Sequence, residues 1–119
     1  MDANEILDYC LAKNGVSESF PFDNETLVLK VATKMFLLIS LDKQPLAIAV
    51  KTDPEWSEEL REQHPQITGA YHMNKTHWNS VSLDGLKKDL ILKLIDHSYE
   101  LVFKSLTKKM KEEIENLGK

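Results

Sequence analysis

The sequence predicts an α+β domain of two layers, with helices packed on one face of an antiparallel sheet, and three observations carry that prediction. Runs of apolar and β-branched residues broken by tight turns fill residues 26–52 and recur near 67–83. Stretches of helical periodicity stand at both ends and once between the strand groups, giving the order α-β-β-β-β-α-β-β-α-α. A chain of 119 residues, 42% of them hydrophobic and 29% charged, is long enough for one domain with a core that needs no disulfide or metal.

The opening DANEILDYCLAKNG has Asp2 as N-cap and Glu5 three residues on. Ile6, Leu7, Cys10 and Leu11 follow at helical spacing, and Asn14-Gly15 stops the helix. Cys10 lies four residues after Ile6 on the apolar stripe, so it reads as a buried structural thiol and not as a nucleophile. Three strands come next: TLVLKV (26–31), KMFLLISL (34–41) and PLAIAVKT (45–52), separated by ATK and DKQP. They form an antiparallel meander, to which Ser17 to Phe22 adds an edge strand, the place where Pro21 is tolerated. In the second strand alternation puts Met35, Leu37, Ile39 and Leu41 on the expected core face and Phe36, Leu38 and Ser40 on the other.

Asp53-Pro54 then opens a helix, aspartate at the N-cap and proline at the first helical position, and EWSEELREQH carries it to His64-Pro65 with Trp56 and Leu60 inward. The acidic run from Asp53 to Glu62 reads as its solvated face. ITGAYHMN and HWNSVSL form a second strand pair, closed by Asp84-Gly85. A long helix from about Leu86 to Ser105 carries Leu90, Ile91, Leu94, Ile95, Leu101, Val102 and Phe103, enough to cover a sheet face. A last helix from about Thr107 presents Met110, Ile114 and Leu117. In WNSVSL, Asn79, Val81 and Leu83 share the core face, so Trp78 faces away from the helices and is expected to be partly exposed.

Net charge is −4, which argues against a protein that coats nucleic acid, since such binding draws on lysine and arginine neutralising phosphates. Residues 1–62 hold 6 basic and 12 acidic side chains, while residues 63–119 hold 9 and 7, which leaves room for a local basic face in the second half. The single cysteine has no partner in the chain, the opening MDANEILDY is acidic where a signal peptide is basic, and no apolar run approaches a membrane span. The expected location is the cytoplasm, with no membrane association.

The densest chemistry is HMNKTHWNSV, His72 to Val81, which sets two histidines, two asparagines, a lysine and a tryptophan within eight residues just before the SLDG turn. With LKVATKMFLLISLD and KTDPEWSEELREQHP before it and LIDHSYELV after it, this pattern resembles the MmcQ/YjbR family of small bacterial proteins over nearly the whole chain. The family hallmark, H-x-N-K-x-H-W followed by an LDG turn, is matched by His72, Asn74, Lys75, His77, Trp78 and Leu83-Asp84-Gly85. The resemblance implies a CyaY-like (frataxin-like) fold and a DNA-binding role through a double wing of β-hairpins. For such a role lysines must reach phosphates and a polar or aromatic side chain must reach sugar or base. Lys34, Lys43 and Lys75 are the expected phosphate contacts, and Asn74, His77 and Trp78 the sugar or base contacts, with Asn79 a further hydrogen-bonding group.

The alternative is an interaction or dimerisation module. Val28, Phe36, Leu38, Ala47, Ala49 and Trp78 would make the outer sheet face apolar enough to meet a homodimer copy or a protein partner. The frataxin-like resemblance adds weak metal or small-ligand binding as a third reading. Against a metal, the first helix offers only Asp2, Glu5 and Asp8, and His72 and His77 are five apart, on opposite faces of an extended hairpin unless the turn brings them together, with no cysteine near. His64 and His97 read as helix-end and packing positions. An enzyme is not expected: there is no G-x-S-x-G elbow, no glycine-rich phosphate loop and no dinucleotide fingerprint, so no catalytic residue or cofactor is assigned.

Overall fold

The capping box at the start of the chain forms as its sequence requires. The Asp2 carboxylate accepts from the Glu5 N–H at 2.8 Å, and the Glu5 side chain accepts from the Asp2 N–H at 3.2 Å. This opens α1 (Ala3–Leu11), whose Ile6 and Cys10 are wholly buried, whereas Leu11, expected on the same stripe, is exposed at the helix end. The computed structural model describes residues 1–70 and 73–117. The elements that follow are β1 (Val16–Ser19), β2 (Thr26–Val31), β3 (Lys34–Ser40), β4 (Ala47–Lys51), α2 (Pro54–Gln63), β5 (Ile67–Gly69), β6 (Trp78–Ser82), α3 (Lys88–Lys104) and α4 (Lys108–Leu117). This is the predicted order. The edge strand is shorter than expected and ends before Pro21, and α3 begins two residues after Leu86.

The strands form one antiparallel sheet in the order β1-β2-β3-β4-β6-β5. Leu27, Leu29, Val31, Leu37, Ile39, Ile48, Val50 and Val81 point to the helices and build the core with Ile91, Leu94, Ile95 and Val102 of α3. α1 is fastened to α3 by Asp96, which accepts from the Tyr9 hydroxyl at 2.7 Å and pairs with the Lys13 ammonium at 2.6 Å. At the other end of the chain Ile114 of α4 seats on Gly15. That glycine has φ +75, and a Cβ there would lie 2.9 Å from Ile114 Cγ1, so both its handedness and its bareness let α4 dock.

One correction concerns β3. Leu29 pairs with Leu37 but Lys30 pairs with Met35, so Phe36 is an extra residue and the register shifts there. A β-bulge of this kind reverses the alternation of all residues beyond it. Phe36 therefore faces the helices, fully buried and edge-on to Tyr99 at 5.5 Å, and Met35 goes to the outer face, the reverse of the predicted assignment. Ser98 of α3 holds the bulge open: its hydroxyl donates to the Phe36 carbonyl and accepts from the Lys51 N–H at 2.8 Å. One helix side chain thus joins β3 to β4 where their ladder, which runs from Leu37↔Val50 to Ser40↔Ala47, has ended.

The outer face carries Thr26, Val28, Met35, Leu38 and Ser40, then a lane of small residues, Ala47, Ala49, Ser80 and Ser82, with Trp78 at its end. Val28 is fully buried and Trp78 only 9% exposed, although neither belongs to the helix-side core. Trp78 points away from the helices as predicted, but it is covered and not partly exposed.

Candidate functional site

The hallmark hairpin is built from α2 outward. Asp53 caps α2 by accepting from the Trp56 N–H at 3.0 Å, with Pro54 in the first turn. That helix places Leu60 in the core and Arg61, one residue on, against the hairpin. Arg61 Nε donates to Asn79 Oδ1 at 2.9 Å, and Nη2 donates to the carbonyls of Lys75 at 2.5 Å and Trp78 at 3.2 Å. A planar guanidinium meets three acceptors in a fork that an ammonium cannot reproduce. Asn79 is fully buried, and its Nδ2 donates to Thr52 Oγ1 at 2.9 Å and to the His77 carbonyl at 3.1 Å. The Thr52 and Ser57 hydroxyls, both buried, bond to each other. Buried polar groups need partners of this kind, and here the partners fix the hairpin's position on the sheet.

Within the hairpin Asn74 works locally. Its Oδ1 accepts from the Thr76 N–H at 2.9 Å, an Asx turn, and its carbonyl accepts from the Trp78 N–H at 2.8 Å. Lys75 is exposed, with its aliphatic stem against Gly69, where a Cβ would come within 3.3 Å of it. His77 is half-buried, and its carbonyl accepts from the Thr52 N–H at 2.8 Å. The LDG turn follows, with Gly85 at φ +79 and the Asp84 carbonyl accepting from Gln66 Nε2 at 3.3 Å. His72 of the hallmark lies outside the described residues.

The sequence-predicted contact residues are therefore brought together only in part. Asn74, Lys75, His77 and Trp78 share the hairpin, with Trp78 covered and Asn79 turned inside. Lys34 stands at one end of β3 and donates to the Ser105 carbonyl and hydroxyl, both at 3.3 Å, at the C-terminus of α3. Lys43 lies beyond the other end, about 20 Å away along a seven-residue strand. Phe36, counted in the apolar outer patch, has left it through the bulge, and Met35 takes its place.

A second feature opens on the same face. Phe22, Met35, Leu38 and Met73 line a groove of ≈ 680 Å³, with Thr26, Ser40, Asp23 and Lys43 contributing polar groups. Met73 directly precedes the hairpin, so hallmark segment and groove are continuous. Phe22 is 65% exposed, and Leu41, whose N–H bonds the Glu25 carbonyl at 2.8 Å, is 39% exposed. The Asp23 carboxylate is engaged in its own turn, accepting from the N–H groups of Glu25 at 2.9 Å and Thr26 at 2.7 Å, which hold its pKa below the usual range. Among the described residues no three His, Cys, Asp or Glu side chains gather as metal ligands.

Arg61, Thr52, Ser57 and Ser98 are the residues that sequence reasoning missed. One signal was available: Arg61 is the only arginine in a chain with fourteen lysines. A chain that uses lysine at every other basic position and arginine once marks a place that needs several directed donors.

An open six-stranded antiparallel sheet covered on one face by helices, with the 74–78 hairpin clamped by an arginine of the intervening helix, defines the class of protein. The YjbR family model matches residues 11–101, and the chain belongs to that family. It is 38% identical over 101 residues to the uncharacterized protein YjbR of Escherichia coli K12, covering 84% of this chain and 86% of that one. It is 36% identical over 91 residues to the uncharacterized protein YbdF of Escherichia coli O157:H7, covering 76% and 75%. Among solved structures it is similar to Deinococcus radiodurans protein DR2400, described as a DUF419 domain, with a TM-score of 0.88 and 41% identity over 93% of this chain and 86% of that one. A Pseudomonas syringae protein superposes with a TM-score of 0.72 at 28% identity, covering 85% and 98%.

Proposed function

We propose that the protein is a non-enzymatic, cytoplasmic binding domain whose recognition surface is the outer sheet face beside the hallmark hairpin. The groove of ≈ 680 Å³ lined by Phe22, Met35, Leu38 and Met73 carries this reading, because its volume and apolar lining suit a small ligand or an inserted side chain. Phe22, 65% exposed, extends the apolar surface at its rim. Support for a role without catalysis comes from the reactive groups. The hydroxyls of Thr52 and Ser57 are buried and bonded to each other, the groove's Asp23 is engaged in its own turn, and burial pushes the Cys10 thiol up to about 12. The one thiol, with no partner in the chain, supports a reducing compartment. No helix among the described residues is long and apolar enough to cross a membrane.

The test is the fluorescence of a neutral apolar probe, N-phenyl-1-naphthylamine. The wild-type protein enhances it, Leu38→Arg in the groove abolishes the enhancement, and Leu117→Arg on exposed α4 leaves it intact. Enhancement that persists in Leu38→Arg overturns the assignment.

DNA binding through the hairpins of a CyaY-like double wing is the second reading, and the exposed hairpin tip at Asn74, Lys75 and Thr76 favours it. Burial of Trp78 and of Asn79 takes away an expected base contact and a hydrogen-bonding group, leaving phosphate contacts as its main source of affinity. This reading expects anisotropy of labelled duplex DNA to rise at low salt and to fall steeply as salt is added. A duplex that stays unbound at low salt eliminates it. A homodimer or protein partner seated on the same face is the macromolecular form of the first reading, and sedimentation of the purified chain reports the dimer.

A further inference from the structure

We infer that the groove takes a small free molecule with an apolar body and one carboxylate. This rests on the reading of the groove as the recognition surface and adds the chemical class of its ligand. Among the described residues the walls supply the apolar half with two methionines, a leucine and a phenylalanine, of which the methionines are unbranched and adapt to ligands of different outline. The volume of ≈ 680 Å³ suits a body of roughly ten to twenty non-hydrogen atoms.

The charged lining residues decide the other half. Asp23 is already committed: Oδ1 accepts two backbone N–H groups and Oδ2 accepts from the Thr26 hydroxyl at 3.3 Å. A ligand cation would compete with those bonds. Lys43 is in the opposite condition. Its backbone N–H reaches the Ser40 carbonyl at 3.3 Å, but among the described residues its ammonium has no ion pair and no hydrogen bond. Ser40 lies in the same lining and offers a hydroxyl donor. An ammonium and a hydroxyl at the edge of an apolar groove match a carboxylate on an apolar chain or ring. The hollow of ≈ 470 Å³ between α1 and α3 lacks this property, because its Lys88 already faces Glu5 at 3.8 Å.

Calorimetric titration with octanoate and with octan-1-ol, which share a chain and differ in charge, tests the inference. Octanoate is expected to bind about fivefold more tightly than the alcohol, and Lys43→Gln to remove that advantage. Lys109→Gln on α4 serves as the control for net charge and is expected to change neither. Equal affinity for acid and alcohol, or an octanoate affinity indifferent to Lys43→Gln, overturns the carboxylate assignment while the groove reading stands. If neither compound binds and the neutral fluorescent probe also fails, both readings fall together. Lys43 is exposed, so its substitution leaves the fold intact, and an unchanged melting curve verifies this.

Discussion

Replacing Arg61 by alanine probes the device that positions the whole hallmark hairpin. The substitution removes three hydrogen bonds of an ionised donor, one to the buried Asn79 Oδ1 at 2.9 Å and two to the carbonyls of Lys75 and Trp78. The carbonyl bonds lie toward solvent, where water takes their place at little cost. The Asn79 oxygen is fully buried, and an acceptor left without its charged donor costs about 2–3 kcal/mol. With some lost packing of the arginine stem the expected total is about 3 kcal/mol. An unfolding entropy of about 2.1 cal/mol/K per residue gives roughly 0.25 kcal/mol/K for 119 residues, so the melting temperature should fall by about 12 °C. Arg61→Lys is expected to recover little of this, because a lysine reaches one of the three acceptors. Calorimetry gives the single-variant values, and a double-mutant cycle with Asn79→Ala isolates their coupling, expected at about 1–2 kcal/mol. Melting of Arg61→Ala within about 2 °C of the parent refutes the clamp.

Three further outcomes follow from particular contacts. Ser98→Ala leaves the Phe36 carbonyl and the Lys51 N–H unpaired beneath α3, and urea denaturation should show a loss of about 2–3 kcal/mol. His97 Nε2 accepts from the Asp53 N–H at 3.2 Å, and burial holds its pKa below the usual 6.5, reinforced by Lys104 and Lys93 and opposed by Asp53. A folded value below the unfolded one means that this contribution is complete above about pH 6.5 and is lost as pH falls through the folded value. The urea midpoint should therefore decline with acid in the parent, with a shallower decline in His97→Gln. The Cys10 thiol, buried and raised to about 12, should react with a disulfide reagent only as fast as α1 opens, so reaction rate and urea concentration should rise together.

Local pattern was enough for the element order because caps and turns are short-range chemistry. Asp2 with Glu5, Asp53 with Pro54, and Gly85 each set their boundary within a few residues. The faces of β3 were not legible, since MFLLI is apolar at every position and alternation within it does not reveal an inserted residue. What decides the face is Ser98, sixty-two positions away from Phe36 in sequence, which engages the bulge carbonyl. Trp78 followed the same logic: its direction is a matter of parity and was readable, whereas its burial depends on what packs over the outer face. The hairpin's importance was visible in its composition, but its anchor on α2 was hidden in a helix whose other charged residues are solvated. The groove arises from segments at positions 22–26, 35–43 and 73, which only the folded sheet brings together.

The central claim is that ligands meet this protein on the outer sheet face. A carbon-detected methyl map of the labelled protein during octanoate addition tests it most directly, with Met35, Leu38 and Met73 as reporters and the buried Ile91 and Ile95 as internal references. Saturable shifts at the three groove methyls, with the references still, are the predicted result. Shifts absent from those methyls, or confined to α1 and α3 around the Glu5–Lys88 hollow, would contradict it.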